Sequence, residues 1–185
     1  MVRPAANSSR EVPQASTSGA PEFNEVFAQH GRFVLRVLLR LGVQRRDVPD
    51  AGQEVFVVVH RRLPEFDAER SALQSWLYGI CLRVASEYRR RHPNRQEASA
   101  AALEELHAIG EPESTLATQR AWQRLATVLD GLDETKREVF VLYELEELAM
   151  PEVAELLGCP LQTAYSRLHA ARRLVFAAFG QEPLS

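Results

Sequence analysis

The sequence predicts an all-α protein: two small helical domains joined by a flexible linker, the C-terminal one containing a helix-turn-helix. Three observations lead there. Apolar residues recur at steps of three and four through most of the 185 residues, the spacing that lines one face of an α-helix. The chain is rich in Ala, Leu, Val, Glu and Arg, and its 9 Gly and 10 Pro concentrate outside the periodic runs. The periodicity also weakens across residues 96–111 into Ala and Glu, which divides the chain in two.

Residues 1–20, MVRPAANSSREVPQASTSGA, offer little to bury and read as a disordered tail. The first helix is expected from Pro21 or Glu22, with Phe23, Val26, Phe27, Phe33, Val34, Val37, Leu38 and Leu41 as its apolar stripe. Gly31 is a point of interruption, and Gly42 ends the helix. A second helix opens at DVPD: Asp47 caps it, Pro49 suits its first turn, and Asp50 stands where a capping box places an acid. It runs to about Leu63, and Pro64 stops it before a loop reaching Ser75. A third helix puts Leu73, Trp76, Leu77, Ile80, Val84 and Tyr88 on one face and ends ahead of Pro93. Three linked helices bury one shared core, so residues 21–95 read as one domain.

The second domain is expected over residues 112–180. A fourth helix begins near Pro112, with Leu116, Trp122, Leu125, Leu129 and Leu132 facing inward. Asp133 caps a fifth, which carries Val139, Phe140, Leu142 and Tyr143. Two further helices follow, at about Pro151–Leu157 and Leu161–Phe179. Trp76 and Trp122, both on apolar faces, read as core residues.

Charge and composition narrow the function classes. The net charge is −3, but residues 22–97 carry 13 Arg against 10 Asp and Glu. Later acids cluster between Asp130 and Glu155, ahead of Arg167, Arg172 and Arg173. Screening confines each charge to roughly 8–10 Å, so a local basic face can hold phosphate on an acidic protein. Cys81 and Cys159 are far apart and match no metal-ligand spacing, which fits two small hydrophobes in a reducing compartment. No apolar run is long enough to cross a bilayer and the N-terminus has no signal-peptide pattern, so a cytoplasmic protein is expected. Asp47, Asp50, Glu54 and His60 lack a second Glu-x-x-His partner, and no nucleophile–base pair or Gly-rich phosphate loop occurs. The expectation is a protein with no enzymatic activity, no metal and no cofactor.

The most informative stretch is LGCPLQTAYSRLHAARR, residues 157–173. Gly158 supplies the positive φ of a tight turn between helices, and Pro160 presets the entry to the next one. Before the turn, Val153, Leu156 and Leu157 face inward, and Ala154 is small where two helices cross. After it, Leu161, Ala164, Leu168, Ala171 and Val175 share one face. Gln162, Thr163, Ser166, Ala170 and Arg173 take the opposite face, flanked by Arg167 and His169. Short polar side chains followed by a basic end suit a helix that lies in a DNA groove and grips phosphate with its tail. A corner in an ordinary helical bundle has the same apolar spacing.

With both halves in view, the chain resembles the extracytoplasmic-function sigma factors of bacterial RNA polymerase. The resemblance rests on DVPDAGQEVF (47–56), HRRLPEFD (60–67), SWLYGI (75–80) and RVASEYRRR (83–91) in the first half. In the second half it rests on residues 132–174. It implies core polymerase as a partner, through the clamp helices of the β′ subunit and the flap of the β subunit, and promoter DNA. An anti-sigma factor is a common further partner in the family, though no residue here identifies one.

The same resemblance implies roles by position. Asp50, Gln53 and Glu54 match the face that docks on the clamp helices. The loop from Pro64 to Ser75, with Phe66 and Asp67, matches the part that opens the −10 element and holds a flipped base. Arg61, Arg62, Arg70 and Arg83 would supply positive charge there, and Arg89, Arg90 and Arg91 would hold backbone. The helix after Pro160, through Gln162, Thr163, Ser166, Arg167, His169 and Arg173, matches the reader of the −35 element. Departures from the family pattern are Ala51 and Gly52 in place of bulkier apolar residues, expected to weaken packing or helix propensity there, together with Gly79, Arg83, Pro160, Ala164 and Tyr165. Two other readings stay open: a stand-alone helix-turn-helix regulator, and a sigma-like interaction protein without DNA reading.

Overall fold

The computed structural model describes residues 21–91 and 116–180, and among these the regular structure is entirely helical. In chain order the helices are α1 (Phe23–Arg40), α2 (Val48–Arg62), α3 (Leu73–Arg91), α4 (Leu116–Gly131), α5 (Glu134–Phe140), α6 (Met150–Leu156) and α7 (Leu161–Gly180). The expected tail at 1–20, Pro93, the expected linker at 96–111 and Pro112 lie outside the described residues.

In the first half, α1 buries Val26, Phe33, Val34, Val37 and Leu38 and passes through Gly31 without a break. Phe27, expected inward, is 53% exposed, with its ring edge-on to Phe56 at 4.7 Å. Gly42 follows the helix with φ +87°, and Val43 N–H returns to Leu38 C=O at 3.0 Å, closing the end as a left-handed residue allows.

The expected capping box at α2 does not form. A 3₁₀ turn at Arg45–Asp47 precedes the helix, so Asp47 already has helical dihedrals (φ −94°, ψ −12°) and its side chain caps nothing. A side-chain cap needs an extended backbone at that position. Ala51 and Gly52 likewise do the reverse of loosening the core. Both are buried, and a Cβ on Gly52 would lie 2.6 Å from Leu35 Cδ2, so the small residues let α1 and α2 approach closely. Across them α3 packs Leu77, Tyr78, Ile80, Cys81 and Val84. Each such aliphatic or aromatic side chain contributes about 1.5–3 kcal/mol by leaving water. Burial pushes the Cys81 thiol far above its ordinary range, so it stays protonated as a core hydrophobe.

In the second half, Asp133 has extended backbone (φ −63°, ψ 158°) and its Oδ1 accepts from Lys136 N–H at 3.0 Å, a true N-cap for α5. Helix α5 then widens into a π-helical turn at Val141–Leu145. There Glu146 N–H reaches Val141 C=O and Leu148 N–H reaches Leu142 C=O, both at 3.0 Å. The α6–α7 corner turns on Gly158 (φ +59°), with Val153, Ala154, Ala164, Leu168, Ala171 and Val175 buried between and beneath the helices. Leu161 departs from expectation: as the first residue of α7 it stands at the open end of the corner, 44% exposed.

The two halves share one contiguous apolar core, and a polar seam runs between them. Arg40 Nη1 donates to Glu146 Oε1 at 2.6 Å and to Leu145 C=O at 3.1 Å, while Tyr78 Oη donates to Glu146 Oε2 at 2.6 Å. Burial, then the Glu146 carboxylate, pushes the Tyr78 phenol well above its ordinary range, which keeps it a donor. The guanidinium of Arg40 also lies over the half-buried Trp122 ring, 5.4 Å from its centre. Arg137, buried, reaches Leu129 C=O at 2.7 Å, Asp130 C=O at 3.0 Å, Leu132 C=O at 3.2 Å and, across the seam, Leu41 C=O at 3.4 Å.

Candidate nucleic-acid interface

The loop after α2 is tied by its own polar groups. Asp67 accepts from Glu69 N–H at 2.9 Å through Oδ1, and its carbonyl accepts from Arg70 N–H at 3.2 Å and Ser71 N–H at 3.3 Å. Phe66 folds back onto Trp76, ring centres 5.3 Å apart, anchoring the loop to the start of α3. This leaves a groove of about 560 Å³ lined by Arg62, Arg70, Ser71, Ser75, Trp76 and Arg83, among others. Of the residues expected to open DNA, Arg62, Arg70, Ser75 and Arg83 therefore meet in one place. Phe66 and Asp67 belong to the tied loop but, like the exposed Arg61, are not among the groove's lining residues.

The opposite wall of that groove is α6, through Glu152, Glu155 and Leu156. Ser75 Oγ donates to Glu152. Nothing in the residue pattern of either half announced this pairing, because it joins positions 77 residues apart.

The arginine run at the end of α3 divides. Arg90 is exposed. Arg91 pairs with Glu87 and approaches Glu54 at 3.9 Å, its guanidinium 5.4 Å from the Tyr88 ring centre. Arg89 does not join an open phosphate-binding surface. Its side chain is 14% exposed, and it donates to Leu41 C=O, to Glu134 and, at 2.9 Å, to Glu138. Burial raises the Glu138 carboxyl above its ordinary range, with Arg89 opposing the shift.

On α2, Asp50, Gln53 and Glu54 fall on one outward face at steps of three and four, the first two exposed and Glu54 half-buried. Val57 extends that face and is 48% exposed.

On α7, Gln162, Ser166, His169 and Arg173 are exposed, and Thr163 and Arg167 are half-buried on its flanks. Ser166 Oγ donates to Gln162 C=O at 2.9 Å, so its hydroxyl keeps acceptor capacity toward the outside. Tyr165, absent from the expected readers, is 47% exposed and shares a shallow depression with Gln162, Ser166 and His169. Its position, three after Gln162 and four before His169, carried the signal. Arg172 borders the same depression but is held by Glu144 at 2.5 Å and lies 5.6 Å from the Tyr143 ring centre.

A tied loop beside a groove with three arginines, a polar outward face on α2 and a polar helix after a tight turn define a class: an all-helical helix-turn-helix protein. Comparison with known proteins gives that class its family. The model of Sigma-70 region 2 matches residues 26–95, and that of Sigma-70, region 4 matches residues 122–175. The ECF RNA polymerase sigma-E factor of Escherichia coli (strain K12) is 30% identical over 162 residues, covering 83% of this chain and 84% of that one. The sigma-E factor of Haemophilus influenzae is 29% identical, covering 83% and 85%. The chain belongs to the sigma-70 family, in its extracytoplasmic-function group, and is a promoter-specificity factor for transcription initiation.

Solved structures share the fold. The sigma factor RpoE of Bartonella quintana, in complex with the anti-sigma factor NepR, matches with a TM-score of 0.67 at 16% identity, over 87% of this chain and 98% of that one. CnrH in complex with the cytosolic domain of CnrY matches with a TM-score of 0.63 at 24% identity, over 87% and 89%. No helix among the described residues is long and apolar enough to cross a membrane.

Proposed function

We propose that this chain acts in the cytoplasm as a subunit of RNA polymerase rather than as a catalyst itself, and that its surfaces divide the work of promoter recognition. Asp50, Gln53 and Glu54 dock on the clamp helices of the β′ subunit, and the second half meets the flap of the β subunit. The groove with Arg62, Arg70, Ser75 and Arg83 takes the opened −10 strand, with Phe66 and Asp67 shaping the loop and Arg61, Arg90 and Arg91 along its approach. Helix α7 enters the major groove at −35, where Gln162, Thr163, Ser166 and His169 face base edges and Arg167 and Arg173 face phosphate. An anti-sigma factor is a further partner on this reading, since RpoE of Bartonella quintana is held in complex with one.

One observation carries the proposal: two family segments, in order, each coincide with a separate exposed polar surface. A stand-alone regulator has no use for the α2 face or for a groove suited to an unstacked strand. The test is run-off transcription from genomic fragments with core polymerase and this protein, start sites mapped. Transcripts are expected only when both are present. Binding to core with no transcript from the whole library would refute the reading.

A further inference from the structure

The outward stripe of α7 ends in a charge that the preceding helical turn holds in place. The shallow depression along that helix is lined by Gln162, Tyr165, Ser166, Leu168, His169 and Arg172. Of these side chains only the guanidinium is permanently charged; the others offer an amide, a phenol, a hydroxyl, an imidazole and an isobutyl group. Arg173, its neighbour, stands about 100° further round the helix and is not among the lining residues.

One short segment fixes the Arg172 guanidinium from two sides. Its Nε donates to Glu144 Oε1 at 2.5 Å, and its central carbon lies 5.6 Å from the centre of the Tyr143 ring. Both partners belong to the π-helical turn at Val141–Leu145, a kind of turn frequent at functional sites. The pair is open to solvent, with side chains 44% and 29% exposed, and so wet an ion pair adds little to stability. What it fixes is direction. With Nε engaged, Nη1 and Nη2 have no hydrogen-bond partner among the described residues. These are donors of the planar fork that matches a phosphate. An arginine ordered in advance also loses less freedom when it meets its ligand.

We infer that Arg172 is a further DNA-contacting residue of α7, a phosphate clamp at the edge of its base-reading stripe, and that Glu144 and Tyr143 are its positioning residues. The inference rests on the −35 reading of α7 given above. It gives Glu144 an effect opposite in sign to the one its charge predicts. An acid near a phosphate repels it, so removing the acid should tighten binding. An acid that aims an arginine should weaken binding when removed, because the arginine regains its freedom.

The experiment uses the full chain bound to core polymerase, on duplexes selected from a random pool by the wild-type complex, with affinity measured across a salt series. Arg172→Met should weaken binding about ten-fold and lower the salt slope by about 1, with base preference unchanged. Glu144→Ala should weaken it about five-fold at an unchanged slope, because the phosphate contact is still made. Glu144→Gln, which keeps an acceptor in the same place, should bind at least as tightly as the wild type. In an Arg172→Met background, Glu144→Ala should leave affinity unchanged. Wild-type affinity and slope in Arg172→Met overturn the inference. So does a Glu144→Ala variant that binds as tightly as the wild type or more tightly. Equal loss from Glu144→Ala with and without Arg172 overturns it too, since that marks a merely structural role. Selection of no common sequence by the wild-type complex would instead strike the −35 reading itself.

Discussion

Arg40 and Glu146 meet at 2.6 Å across the seam between the halves, with side chains only 7% and 4% exposed. Tyr78 donates to the other carboxylate oxygen, so one acid satisfies donors from two helices. Removing one partner of such a pair strands a buried charge. Glu146→Met should cost about 3 kcal/mol, whereas Arg40→Met with Glu146→Met should cost under about 1 kcal/mol. Urea denaturation of both single variants and the double variant checks this, and additive losses would refute it.

Arg137 closes the end of α4 by donating to its Leu129 and Asp130 carbonyls, to Leu132 C=O just beyond it and to Leu41 C=O across the seam. Arg137→Ala is expected to cost at least about 3 kcal/mol, because several carbonyls lose their donor inside the protein. Arg137→Lys should recover less than half, since an ammonium cannot fork over divergent acceptors. Thermal unfolding of the two variants side by side decides it.

Gly42 is tied to the same arginine. A Cβ there would lie 1.8 Å from Arg137 Nη1, and its φ is +87°. Gly42→Ala is expected to cost at least about 2 kcal/mol in the natural background, from clash and left-handed strain together. It should cost only about 1 kcal/mol once Arg137 is Ala, when strain alone remains. Equal costs in both backgrounds would show that the clash is relieved elsewhere.

Asp133 should give stability with a distinctive pH profile. The Lys136 ammonium, with the Lys136 N–H and the Thr135 hydroxyl bonded to the carboxylate, lowers its pKa from 3.8 to about 2. A depressed carboxyl stabilises the fold above its unfolded pKa, and the contribution fades as pH falls through the folded value. Asp133→Ala is therefore expected to cost about 1 kcal/mol at pH 7. That difference should shrink between about pH 4 and pH 2, and a constant offset across this window would exclude the ionised cap as its source.

On the proposed −35 reading, Arg173→Ala should weaken duplex binding for all sequences alike and reduce the salt slope by about 1. Gln162→Ala and Tyr165→Phe should instead change base preference, because both side chains share the outward depression of α7. Selection of bound duplexes from a random pool separates the outcomes, and an unchanged preference would exclude these side chains as readers.

The helices were legible because each half repeats the three-and-four spacing, and Asp133 and Gly158 were legible because each has one dominant local use. Asp47 misled because the 3₁₀ turn ahead of it already supplies helical dihedrals. Ala51 and Gly52 misled because smallness reads as lost packing until the distance to Leu35 is known. At the candidate site, the α7 face and the groove arginines followed from position. Arg89 and Ser75 did not, since their partners Glu134, Glu138 and Glu152 come from the other half. Local pattern records what a residue can do, while long-range pairing selects which of those things it does.

The widened turn at Val141–Leu145 carries a final consequence. It works as a one-residue spacer, and Glu146 lies immediately beyond it. A π-turn holds one residue more than an α-turn, so losing one residue of VLYEL would tighten it to ordinary pitch and leave Glu146 turned toward Arg40 and Tyr78. This spacer is therefore where the gene could lose one codon and keep the two halves aligned, whereas the same loss within a regular stretch of α-helix would rotate everything beyond it by about 100°.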